Sequence, residues 1–235
     1  KLFHKRKNRN VALKASGQSV IIKKIVMPMM TPGELAEQIG WEAEQYIPFD
    51  LSEVHIDYQV LLQRPEQNQM DVLLVAGKKE EINDLTNLAV EARLKPLVVD
   101  VDAFAVQNVY ETAYGAPGPN ETVVLVHSGA SLTTLNILSN GVTAFTRDIL
   151  NGGNLVTEEI QRQLSISREE AEAYKCGGDG RGLVPREVTD VMEQVVEQLA
   201  GEIQRSLDFF LATSGEREIT RIVCSGGTSN LRMLR

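Results

Sequence analysis

Apolar and polar residues alternate most cleanly in EVHIDYQVL, residues 53–61, where Val54, Ile56, Tyr58 and Val60 fall on one side of an extended chain. A period of two predicts a strand with one buried face. MDVLLVAG, residues 70–77, is apolar almost throughout and predicts a strand buried on both faces. Two earlier strands are predicted at Val11–Leu13 and Val20–Ile22, with SGQS as the turn between them. Spacing then turns helical in TPGELAEQIGWEAEQYIPF, through Leu35, Ile39, Trp41 or Ala43, and Tyr46. Thr31 and Glu34 supply a T-x-x-E capping box, Pro32 takes the first helical position, and Pro48 ends the helix. Residues 80–94 predict a second helix, PLVVDVDAF a strand, and residues 103–113 a third helix.

AYGAPGPNE, residues 113–121, carries two prolines and two glycines and predicts a boundary between two lobes. Three strands of an antiparallel meander follow in ETVVLVHS, SLTTLNIL and GVTAFTRDI, turned by SGA and by SNG, the stronger hairpin signal. GGNLVTEEIQRQL predicts a helix opened by two glycines, Ser167 with Glu170 caps a short helix, and CGGDGRG predicts a flexible loop. Residues 186–212 predict one long helix, because Val188, Val191, Val195, Leu199, Ile203, Leu207 and Phe210 recur every three or four positions. REITRIVCSGGTSNLRML predicts a strand, a Gly-Gly turn and the start of a helix. The class is α/β in two lobes.

The 235 residues suffice for a substantial core, and 43% hydrophobic with 24% charged residues is the balance of a globular protein. A net charge of −8 argues against nucleic acid as a main partner. Cys176 and Cys224 stand far apart, which favours neither a metal site nor a disulfide framework and makes a reducing compartment the default. His4, His55 and His127 show no metal spacing, and no run is apolar enough to span a bilayer. The basic opening KLFHKRKNRN fits an anionic contact or a solvated end. A chain that begins at Lys1 and stops at Arg235 as a new element starts reads as part of something longer.

Candidate chemistry gathers at glycines. In VLVHSGASLTTL the small residues Gly129, Ala130 and Ser131, with Thr133, suit close approach to a phosphate; the same stretch also reads as a plain hairpin. Gly152, Gly153 and Asn154 open a helix whose N-terminus can attract an anion, or form a connection with Asn154 as N-cap. Gly226, Gly227 and Thr228 follow an apolar strand and either admit a flat ligand or simply turn the chain. Gly201 inside the long helix hints at close approach by another group. Glu202 and Arg205, three apart on that helix, could hold a ribose or flank a base, or form a surface ion pair.

The order of these pieces resembles the actin-like ATPase superfamily. The stretches SGQSVIIKKI, WEAEQYIPFD, MDVLLVAGKKEEIND, VVDVDAFAVQN, FTRDILNGGN, EEIQRQLSIS, AGEIQRSLDFF and SGGT are similar to the PilM family of type IV pilus assembly proteins, from about residue 9 to residue 230. The resemblance implies an actin-like (ribonuclease H-like) fold of two lobes with an FtsA-type extra subdomain. Residues 1–19 and 96–118 would form the first-lobe core, 20–95 the extra subdomain and 121–235 the second lobe. It implies a cytoplasmic scaffold, peripheral at the inner membrane, that binds the N-terminal cytoplasmic tail of PilN, meets other pilus and motor components, and in complete form takes ATP and Mg²⁺. The peptide is expected where the extra subdomain meets the lobe core, at Trp41, Tyr46, Asp100, Asp102 and Phe104, aromatics that core packing would equally explain.

One departure matters. The superfamily's second phosphate loop reads D-x-G-x-x-x-T, and residues 127–133 read H-S-G-A-S-L-T, with His127 in place of the acid. A first phosphate loop, a D-x-G turn, does not occur near the start of the sequence. The expectation is nucleotide binding by the complete protein and no hydrolysis by this chain. An active ATPase or phosphotransferase, and a membrane-associated filament protein like FtsA, are the alternatives.

Overall fold

The computed structural model describes residues 8–177 and 184–234; most of the basic opening and most of the CGGDGRG loop lie outside these. The chain forms two compact units, one reaching Val109 and the other starting at Tyr110.

In the first unit, β1 (Asn10–Ala15) pairs in parallel with β5 (Lys95–Val101). A second sheet has the order β2-β4-β3 and is antiparallel, from β2 (Val20–Pro28), β3 (Val54–Arg64) and β4 (Gln69–Lys78). β1 and β2 therefore do not pair, although only a short turn separates them. Gly17, with φ +78°, and a 3-10 turn at Gly17–Ser19 redirect the chain into the other sheet.

α1 (Pro32–Ala43) covers one face of this sheet. Its capping box forms as expected: the Glu34 amide donates to the Thr31 hydroxyl, and the Thr31 amide donates to the Glu34 carboxylate at 2.8 Å. Leu35, Ile39 and Ala43 pack on Ile25, Met27, Met70, Val72 and Leu74. Trp41 falls outside this stripe and is 76% exposed.

α2 (Lys79–Glu91) ends three residues before the predicted stop at 94. Arg93 adopts the left-handed conformation, φ 59°, and the Leu94 amide donates back to the Ala89 carbonyl, which turns the chain into β5.

Asp71 on β4 is 2% exposed and receives Lys24 from β2 at 3.0 Å and Arg64 from β3 at 2.6 Å. Burial pushes its carboxyl up, but the hydrogen bonds from Lys24 and Arg64 outweigh this and hold it below the usual carboxylate range.

α3 (Asp102–Tyr114) carries the chain into the second unit. There a four-stranded sheet has the order β8-β7-β6-β9, from β6 (Thr122–Ser128), β7 (Thr133–Ser139), β8 (Val142–Ile149) and β9 (Arg221–Ser225). The three meander strands are antiparallel, and β9 returns in parallel beside β6. Asn140 and Gly141 both have positive φ, 54° and 80°, as a tight type I′ hairpin requires.

α6 (Arg186–Ser214) lays Leu199, Leu207 and Phe210 on the apolar face of β6 and β7. Its first half buries Val188, Val191, Val195 and Val196 against α4 (Gly153–Leu164) and α5 (Arg168–Lys175). Gly201 meets no foreign backbone: the closest atom to a Cβ placed there is the Arg205 guanidinium, at 3.4 Å. Past β9 the chain forms 3-10 turns at Gly227–Asn230 and Arg232–Leu234, where an α-helix was predicted to start.

Candidate functional site

In the second unit the three glycine stretches meet. The loop from β6 to β7 is closed by the Gly129 amide donating to the Leu132 carbonyl at 2.9 Å and by the Ser128 and Thr133 hydroxyls 2.8 Å apart. Thr133 is fully buried and donates to the Asn151 carbonyl at 2.8 Å, tying the loop to the start of α4. The Gly153 and Asn154 amides donate to the carbonyls of Gly129 and Ala130, at 3.0 and 2.7 Å. The first two amides of α4 are thus taken up by the neighbouring loop. Its N-cap is Gly152, not Asn154, whose side chain donates to the Ser131 hydroxyl at 3.0 Å.

Packing explains the glycines. A Cβ at Gly152 would lie 2.5 Å from the Gly129 carbonyl oxygen and 2.7 Å from that of Ala130. At Gly153 it would lie 2.7 Å from the Thr228 hydroxyl, and at Gly226, φ +90°, it would run into the Ser128 backbone. Thr228 donates to the Gly129 carbonyl at 2.7 Å, so Gly129 and the Gly226–Thr228 turn lie side by side. Ala130 and Ser131 stand exposed at the loop tip, and among the described residues their amides carry no hydrogen bond.

Beside this junction opens a cavity of about 440 Å³, with Ala130, Gly153, Gly227, Thr228 and Leu231 among its walls. Glu172 and Lys175 of α5 also line it, residues the sequence reading did not single out. Lys175 donates to the Gly153 carbonyl at 3.1 Å, to the Thr157 hydroxyl at 2.9 Å and to Glu172 at 2.6 Å. Burial pushes the Glu172 carboxyl up, but the bonds from Lys175 and Thr157 hold it below its usual value. Glu202 and Arg205 take no part in these walls: Glu202 accepts from the Asn151 amide group at 2.8 Å, and Arg205 is exposed.

Mg²⁺ takes oxygen ligands with carboxylates foremost, and the carboxylate at these strand ends is Asp148 on β8, which accepts from the Thr134 hydroxyl at 2.9 Å. The loop offers the His127 imidazole and hydroxyls already bonded to neighbours. Among the described residues no three His, Cys, Asp or Glu side chains are grouped to share a metal.

The first unit holds a second cleft, of about 690 Å³, with Leu73, Val75 and Ile82 in its lining. His55–Gln59 of β3 form one border and Val99–Val101 with Phe104 another. Among the described residues β3 is an edge strand, and its outer backbone groups pair with no strand. Asp57 and Asp100 each accept the amide of the following residue on one carboxylate oxygen, at 2.8 Å. Of the residues expected to bind a peptide, Asp100 and Phe104 line this cleft. Trp41 lines an adjoining groove that shares Ile56 and Tyr58 with it. Tyr46 is 38% exposed and lines neither. Asp102 is buried and paired with Lys14 at 3.0 Å. Among the described residues no helix is long and apolar enough to cross a membrane.

Comparison with known proteins agrees with this architecture. A chain of the PilM–PilN type IV pilus biogenesis complex superposes with a TM-score of 0.84 at 30% identity, covering 99% of this chain and 67% of that one. MreB5 of Spiroplasma citri matches at lower identity. Bound to AMPPNP it gives a TM-score of 0.52 at 17% identity, over 66% of this chain and 55% of that one. Bound to ADP it gives 0.50 at 18%, over 66% and 56%. At such identities the MreB5 matches speak to fold alone, and that fold is the actin-like ATPase fold. Residues 3–235 match the family described as type IV pilus assembly protein PilM, and the chain belongs to that family.

Proposed function

We propose that this chain is the scaffold part of a pilus-assembly adaptor that reads the N-terminal cytoplasmic tail of PilN in its first unit and holds ATP in its second. The carrying observation is the cleft bordered by an unpaired strand edge, with an apolar lining and the carboxylates of Asp57 and Asp100. An extended peptide can add to such an edge through its backbone, seat apolar side chains beneath, and place a basic residue against the acids. The likeness to a chain of the PilM–PilN complex supports the choice of peptide. The protein then sits at the cytoplasmic face of the inner membrane through PilN, where the other pilus components and the motor are within reach.

In the second unit the cavity suits an adenosine. The Gly227 backbone admits a flat base, Glu172 can accept from ribose hydroxyls, and the Ala130 and Ser131 amides can meet phosphate oxygens. The nucleotide acts as a structural ligand that favours one conformation. The ATPase reading is disfavoured by His127, an imidazole at the loop position where the superfamily carries its acid.

Isothermal titration of a PilN tail peptide into the full-length protein tests the proposal. The expected Kd is on the order of micromolar, and Phe104→Ala weakens it by about tenfold. The single tryptophan gives a second readout: a peptide that covers Trp41 shifts its emission to the blue, and unchanged emission at saturation removes Trp41 from the site. No binding to the full-length protein overturns the adaptor reading.

A further inference from the structure

We infer that the groove between α1 and β3 docks a basic segment of a second protein partner, with an Arg or Lys side chain laid over Trp41 between Glu37 and Glu44. The groove adjoins the cleft ascribed above to the PilN tail, and the inference does not rest on that reading. Its volume is about 410 Å³, and its lining includes Ile56 and Tyr58 from β3 and Glu37, Gly40, Trp41 and Glu44 from α1 and its C-cap. Glu37, Trp41 and Glu44 follow one another by four and by three positions, the spacing of neighbours on one helix face.

Charge selects the occupant. Between Ile25 and Val54 the sequence carries six Asp and Glu and no Lys, Arg or His. Glu34 is engaged in the capping box and Glu42 accepts from Gln45, whereas Glu37 and Glu44 have no hydrogen bond or ion pair among the described residues. The lysines brought to the neighbouring turn are engaged there: Lys78 lies over the Phe49 ring at 4.4 Å, and Lys79 donates to the Ser52 carbonyl at 2.6 Å. Neither lines the groove. A cation is therefore drawn to this rim, and an anionic lipid or nucleic acid is repelled. The exposed Trp41 ring attracts a cation held over its face, and the aliphatic stem of that side chain can lie along Ile56 and Tyr58. Gly40 leaves the room. It stands inside α1, where glycine is less stable than alanine, yet a Cβ there would meet nothing within 4 Å. No packing within the unit calls for that glycine; the space above it belongs to the occupant. Trp41 then serves this segment, and the tail stays in the cleft.

The test is isothermal titration of an acetylated peptide of alternating leucine and arginine into the full-length protein, beside a counterpart in which neutral citrulline replaces each arginine. The arginine peptide is expected to bind at least about tenfold more tightly than the citrulline peptide. Glu37→Gln with Glu44→Gln should weaken it by about tenfold, and Gly40→Leu, which fills the open space without touching the core, should do the same. Glu193→Gln with Glu197→Gln removes the same charge from exposed positions on α6 and should leave binding as in wild type. Equal binding of the two peptides, an equal loss in the α6 pair, or wild-type binding by Gly40→Leu each overturns the inference. So does no binding of the arginine peptide to wild type, which leaves the tail reading standing. The PilN tail peptide should bind the Glu37→Gln, Glu44→Gln protein as it binds wild type; a tenfold loss there gives the groove to the tail and overturns the separate partner.

Discussion

Thr228 and Gly129 are 99 positions apart in sequence, yet the Thr228 hydroxyl donates to the Gly129 carbonyl at 2.7 Å. The same carbonyl accepts the Gly153 amide at 3.0 Å, and it lies 2.5 Å from where a Cβ on Gly152 would be. One backbone oxygen thus fastens three loops. Thr228→Val removes one of its two donors and should lower stability by about 1 kcal/mol. Gly152→Ala must push two backbone oxygens away and should cost about 2 kcal/mol or more. Gly226→Ala adds a positive φ to a backbone collision and should be the worst of the three. Urea denaturation ranks them, and a Gly152→Ala protein as stable as wild type contradicts this packing.

Asp71 should make the first unit sensitive to acid. Its carboxyl lies below the usual range in the folded protein because Lys24 and Arg64 outweigh the effect of burial. A carboxyl lowered on folding stabilises fully above its unfolded pKa, about 3.9, and loses that contribution as pH falls through the folded value. Asp71→Asn should cost about 1–3 kcal/mol near neutral pH. The gap between wild type and variant should narrow below about pH 4 as Asp71 takes up its proton. Equilibrium unfolding of both proteins over a pH series measures it; a gap that does not change with pH places the ion cluster outside the stability of the unit.

Nucleotide contacts should follow the cavity walls and not the long helix. Lys175 lines the cavity and bridges Gly153, Thr157 and Glu172, so Lys175→Ala should weaken mant-ATP binding by about tenfold. Arg205 is exposed on α6 outside that wall, and Arg205→Ala should bind as wild type does. The reverse pattern would move the adenosine to the α6 face.

What could be read ahead of the structure was mostly local. The Thr31–Glu34 and Ser167–Glu170 boxes each depend on four consecutive residues, and both form. The Asn140–Gly141 turn and the apolar stripe of α6 are likewise written in neighbouring residues. Pairing between distant segments was not legible. Nothing near Val11–Leu13 says that its partner is Val98–Val99 and not the strand that follows Gly17.

The candidate site divides in the same way. Gly129, Gly153 and Thr228 were legible as small residues beside strands, and the structure brings them together. The reason Gly152 and Gly226 must be glycine appears only when three loops meet. Lys175 and Glu172 carried no signal in the sequence, because Thr157 and Gly153 reach them only through the packing of α5 on α4. Asp71 was hidden in a run that reads as apolar core, since its cations come from the two flanking strands.

The central claim is that the first unit reads a PilN tail along the free edge of β3. Hydrogen–deuterium exchange of the full-length protein, with and without saturating tail peptide, tests it most directly. The account predicts slowed exchange at residues 55–59 and 99–104, which border the cleft. Protection confined to residues beyond Tyr110, or none at saturation, would contradict it.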